Sequence, residues 1–166
     1  MELKEAKNKF LNAWGTLGSS WGINRTMAQI HALLLVSDEE LTTEQIMEEL
    51  NISRGNANMN IRALMDWGLV HKKIRPGERK EFFMAEGDIW EIARLVARER
   101  RKRELLPALK ILEEIKEMKD VTKEAKAFKS RINGVYDFAK MVDNLLERFI
   151  QNSNNWFLKI ITAIRR

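Results

Sequence analysis

The sequence predicts a mainly α-helical fold with a small β-hairpin. Three observations carry that prediction. Gly and Pro number only 8 and 2 in 166 residues, while hydrophobic residues make up 45% and charged residues 32%, a composition that folds and favours helix over disorder. Apolar residues recur at helical spacing along most of the chain. Only between Leu69 and Ala85 does the period shorten to that of strands, around the turn-forming pair Pro76-Gly77.

The first helix is expected over about residues 2–17. Leu3, Ala6, Phe10, Ala13, Trp14 and Leu17 form its apolar stripe, and Gly15, Gly18 and Gly22 place its end near Gly18. Asn24 caps a second helix that runs through Met27, Ile30, His31, Leu34 and Leu35 to about Val36. Thr42, with Gln45 three residues on, fits a capping box for a third helix whose buried face is Ile46, Met47 and Leu50. Asn51-Ile52 makes a short turn.

Ser53 opens the fourth helix, its hydroxyl able to accept from a free backbone N–H. Ala57, Ile61, Leu64 and Met65 give one buried face, and Gly68 stops the helix in a left-handed conformation. Solvent is left with Arg54, Gly55, Asn56, Asn58, Met59 and Arg62. Asn and Arg are the side chains that make paired hydrogen bonds to adenine and guanine edges. Two short helices joined by a tight turn, the second with this polar face, make a helix-turn-helix. Residues 69–74 and 79–85 then read as strands joined by Arg75-Pro76-Gly77-Glu78. The hairpin is a wing, with Arg75, Arg79 and Lys80 at its tip and Lys72 and Lys73 close by. Trp67 is expected to pack the helix against it.

Asp88 caps a long helix from Ile89, with Trp90, Ala93, Val96 and Ala97 on its first apolar face. Pro107 is expected to kink or split this helix near Leu105. A second long helix begins near Thr122 and carries Phe128, Ile132, Val135, Phe138, Val142, Leu145 and Phe149. Residues 152–155 break the pattern before a short amphipathic helix over 156–164. The long helices hold more apolar surface than two lone helices can hide, so a homodimer is expected. The charge run over 98–104 reads as a solvated helix face with pairs such as Glu99 and Arg103. Three regions follow: an N-terminal helix over 1–23 that joins the dimer region, a winged helix-turn-helix DNA-binding domain over 24–87, and helical linker and dimerisation helices over 88–166.

Net charge is +5. Seven basic residues between Arg54 and Lys80 face only Asp66 and Glu78, which accounts for the whole excess. Asp38 to Leu50 holds six acidic residues and no basic one. A basic stretch beside an acidic one suggests an oriented polyanion-binding face. Without cysteine, disulfides and thiolate metal sites are excluded. The longest apolar run, Ala32 to Val36, is far too short for a membrane span, and the first residues lack a signal-peptide layout. A cytoplasmic protein without cofactor or metal is expected. With two histidines, His31 and His71, no Gly-rich phosphate loop and no carboxylate motif, an enzyme is not expected. His31, in an apolar helical run, reads as a packed and satisfied histidine.

The order of elements resembles the MarR superfamily of winged-helix regulators, and more closely its GbsR-type branch. The residues that carry the likeness are Leu41-Thr42-Thr43-Glu44-Gln45-Ile46, Leu50-Asn51-Ile52-Ser53-Arg54-Gly55-Asn56, Arg62-Ala63-Leu64, Trp67-Gly68-Leu69-Val70 and Pro76-Gly77-Glu78-Arg79-Lys80-Glu81-Phe82-Phe83. The likeness implies a homodimeric, sequence-specific regulator of transcription that binds double-stranded DNA. Some members of that branch sense quaternary ammonium compounds such as choline and glycine betaine. For such an effector the aromatics Phe10, Trp14, Trp21 and Trp90 are candidates, because aromatic faces hold these cations; the bland reading is a helical core stripe. The DNA candidates are Ser53, Arg54, Gly55, Asn56, Asn58, Met59, Arg62, Lys72, Arg75, Arg79 and Lys80. The competing reading is a winged-helix protein-interaction module that does not bind DNA specifically.

Overall fold

The structure, a computed structural model, describes residues 1–20 and 22–151. It divides into two compact units, Met1–Ile92 and a second beginning at Ala93. Trp21 and the expected helix over 156–164 lie outside the described residues.

In the first unit α1 spans Leu3–Ser20 and α2 spans Arg25–Leu35. The expected stop of α1 near Gly18 is corrected. Gly15 and Gly18 are buried inside the helix and let it approach α2 closely. A Cβ on Gly18 would stand 2.6 Å from the Ala28 Cβ, and one on Gly15 would stand 2.8 Å from Gln29 Cγ. The stop comes at Gly22, whose φ of 75° is left-handed. Its N–H donates to the Ser19 carbonyl at 3.1 Å, and that of Ile23 donates to the Gly18 carbonyl at 2.8 Å, so the last carbonyls are satisfied. Asn24 caps α2 as expected, its side chain accepting from the Met27 N–H at 3.2 Å. Most of α2 is buried, with Ile30 and Ala32 fully so.

The helices α3 (Thr43–Leu50) and α4 (Arg54–Asp66) follow, with α3 opened by the expected Thr42–Gln45 capping box. Asn51 turns the chain between them in a left-handed conformation, φ 51° and ψ 52°, which Asn tolerates better than most residues. The wing strands are β2 (Val70–Ile74) and β3 (Glu81–Ala85), antiparallel from Val70 opposite Ala85 to Ile74 opposite Glu81. A two-residue strand, Leu41–Thr42, pairs with β3 on its other side and makes a three-stranded sheet. In chain order it is β1. It was not expected, because two residues carry no period. Ile30, Ile46, Ile61, Leu64, Val70 and Phe83 form the core that holds α4 and the wing.

The helix α5 spans Ile89–Arg100, with Asp88 Oδ1 accepting from the N–H of Trp90 at 2.8 Å. In the second unit one π-helical turn, Arg101–Leu105, leads into α6 (Leu106–Lys116), and α7 spans Lys123–Gln151. The proline at 107 thus acts through a π turn: the widened turn precedes a residue that has no N–H and would clash with a regular preceding carbonyl. The charge run was also more than a solvated face. Glu99–Arg103 and Arg100–Glu104 pair along the helix at 3.1 Å. Arg101 instead reaches buried Asp143 on α7, with Nε 2.6 Å from Oδ1 and Nη2 3.3 Å from Oδ2. Tyr136 on α7 donates to Glu113 at 2.6 Å, under the Lys116 ammonium.

Candidate nucleic-acid interface

The Ser53 hydroxyl accepts from the Asn56 N–H at 3.3 Å and starts α4. At the other end Gly68 has φ 76°, with its N–H on the Met65 carbonyl and that of Leu69 on the Leu64 carbonyl, both at 2.9 Å. A side chain at 68 would be strained there. Between these ends Ala57, Ile61 and Leu64 are buried as expected, while Met65 is only half-buried.

The outer face carries Gly55, Asn58, Met59 and Arg62 along one open groove of about 530 Å³, and Ala63 and Asp66 complete the lining. Met59 is 61% exposed. Asp66 is a carboxylate at the C-terminal end of an otherwise neutral or basic strip. Two neighbours behave differently from expectation. Asn56, like Asn58, is half-buried rather than free in solvent, and its side-chain oxygen accepts from Asn60 Nδ2 at 2.7 Å. Arg54 turns toward α3, with Nη2 2.8 Å from Glu44 Oε1. Both partners are about half exposed, so the pair is worth roughly 1 kcal/mol or less. Glu44 is held below the usual carboxylate range, first by its own backbone N–H at the start of α3, then by Arg54 and Lys80.

On the wing, every residue from His71 to Lys80 is exposed. The Arg75 carbonyl accepts from the Glu78 N–H at 3.1 Å to close the expected turn. Arg75 itself lies back on the domain. Its Nη2 and Nε contact Glu40 Oε2 at 3.1 and 3.3 Å, and its guanidinium sits 4.1 Å from the Phe82 ring centroid. Lys72 pairs with Glu81 across the hairpin. Among the described residues no ion pair engages Arg62, Lys73, Arg79 or Lys80. The sequence could not show which cations are paired, because Glu40 and Arg75 are 35 residues apart.

The aromatic candidates are partly assembled. Phe10 and Trp14 have ring centroids 5.4 Å apart, and Trp14 lies 6.2 Å from the His31 ring. Trp90 is half-buried at the start of α5, and Trp21 lies outside the described residues. His31 is buried but not satisfied: its Nε2 has no hydrogen-bond partner, and burial pushes its pKa down to about 4.

The MarR family profile matches residues 21–81. Over that stretch, which is less than half of its length, the chain is similar to the MarR family. The stretch includes α2, β1, α3, α4, β2 and the wing tip, which are the elements that build the groove and the exposed cations. The chain is 25% identical over 89 residues to the HTH-type transcriptional repressor GbsR of Bacillus subtilis (strain 168), covering 54% of this chain and 49% of that one. It thus spans about half the length of that curated relative. A solved structure described as the crystal structure of a transcriptional regulator superposes with a TM-score of 0.66 at 18% identity, over 87% of this chain and 95% of that one. The likeness in fold to that structure therefore extends beyond the matched stretch.

Proposed function

We propose that the chain is a sequence-specific DNA-binding regulator of transcription that acts as a homodimer. One observation carries the reading: the exposed groove of α4, with Asn58, Met59 and Arg62, belongs to the same small domain as a wing tip whose Arg79 and Lys80 are exposed and form no close ion pair among the described residues. In this reading α4 enters the major groove. Asn58 and Arg62, one turn apart, read base edges, and Met59 meets a thymine methyl. Ser53, Arg54 and Gly55 bring the positive helix end to a phosphate. Arg79 and Lys80 contact phosphate or the adjacent minor groove, with Lys72 and Arg75 behind them. The likeness to a transcriptional repressor supports regulation as the outcome of binding.

The homodimer follows from two needs. One α4 reads too few base pairs for specificity, and a two-fold pair meets two half-sites. The helix α7 also leaves Phe128, Val135, Phe138, Met141 and Leu145 between 47% and 63% exposed along its 29 residues, which a second copy can cover. A response to a small quaternary ammonium effector rests on the Phe10–Trp14 ring pair. Titration with choline or glycine betaine to millimolar levels should give a saturable change in Trp fluorescence, and a flat titration would remove the effector from the reading. Selection of duplexes from a random-sequence pool tests the whole. The recovered sites should share a two-fold symmetric sequence with half-sites about one helical turn apart. A pool with no common sequence would favour a protein-interaction module instead.

A further inference from the structure

The amide of Asn60 fixes what Asn56 can offer to a ligand. Asn60 is 3% exposed, the one Asn of α4 that is buried. Its Nδ2 lies 2.8 Å from the backbone carbonyl of Asn56 and 2.7 Å from the Asn56 side-chain oxygen. A backbone carbonyl can only accept. The Asn60 atom facing it must therefore be the NH₂ group, which has two hydrogens and so can serve both oxygens. The Asn56 atom 2.7 Å away must in turn be an acceptor, which assigns it as the oxygen and turns the Asn56 NH₂ the other way. The Asn56 N–H is already spent on Ser53, so backbone and side chain are held at once.

We propose that Asn60 is a positioning residue that makes Asn56 a fixed hydrogen-bond donor toward the duplex. The inference rests on the DNA-binding reading above. A free Asn can turn its amide to give a donor and an acceptor together, the pairing adenine requires. With its oxygen engaged by Asn60, Asn56 instead addresses an acceptor, either a phosphate oxygen or the O6/N7 edge of guanine. The arrangement also orders the side chain before binding, so less rotamer freedom is lost on contact. Asn60 itself touches no DNA in this scheme.

A double-mutant cycle tests it, using the full chain and a duplex recovered from a random pool. Asn56→Ala changes the outer residue and Asn60→Ala the inner one, with circular dichroism confirming that each variant keeps its helix content. Each single change should weaken binding about tenfold, and the double variant should lose little more than either single, because both remove one interaction. A loss confined to the selected duplex identifies a guanine edge, and an equal loss on random duplex identifies a phosphate. Additive losses, or an Asn60→Ala variant that binds like wild type while Asn56→Ala does not, would overturn the positioning role alone. A wild-type chain without salt-dependent duplex binding would remove the DNA reading and this inference with it.

Discussion

Among the basic side chains of the wing, Arg79 and Arg75 have the same charge but different situations. Arg75 is held by Glu40 and the Phe82 face, an arrangement worth about 1 kcal/mol at such exposure. Arg79 is exposed at the tip. Arg79→Ala should therefore weaken binding to all duplexes and lower the salt slope by about one, as measured by fluorescence anisotropy at several salt concentrations. Asn58→Ala should instead cost roughly 1–3 kcal/mol on the selected site and little on random DNA; equal losses on both would rule out base reading by Asn58. His31 makes a separate prediction about stability. Its folded pKa of about 4 lies below the ordinary 6.5, so between these values the unfolded chain binds a proton that the native state refuses. Stability is then full above pH 6.5 and declines toward pH 4. From pH 7 to pH 5 the loss should be about 2 kcal/mol in urea unfolding, and His31→Leu should flatten that part of the profile.

Helix contacts give the clearest case of opposite effects from the same substitution. Gly→Ala in an exposed helix interior stabilises by up to about 1 kcal/mol. Gly134 of α7 has nothing within 4 Å of an added Cβ, so Gly134→Ala should raise the thermal midpoint. At Gly18 the same change sets a Cβ against Ala28, and the strain of overpacking should outweigh the propensity gain by about 1–3 kcal/mol. The sequence alone could not separate the two glycines, since a helix stop and a close helix approach use the same residue. It did reveal α2, the capping box of α3, the limits of α4 and the hairpin, because each is set by neighbours within a few residues. Strand β1, the Arg101–Asp143 pair and the burial of Asn60 depend on partners or packing beyond that range. Asp143 lies below its ordinary range chiefly through its hydrogen bond from Arg101. Its contribution is present above the unfolded value and is lost as pH falls through the folded one.

At the scale of the whole molecule, affinity and specificity are expected to come from different places. In the proposed reading the wing and the start of α4 supply charge, the α4 groove supplies base contacts, and pairing through α7 doubles both. Phe138 is 63% exposed on α7. Phe138→Glu should shift sedimentation toward the monomer and weaken binding to a symmetric site much more than to a half-site. The claim beneath all of these is that the exposed cations of the winged helix meet phosphate. Binding of the full chain to a duplex, followed by anisotropy from 50 to 200 mM salt, tests it most directly. If about six phosphates are neutralised by two copies, log K should fall linearly with log salt with a slope near −5. Binding that is insensitive to salt, or absent at 50 mM, would contradict the account.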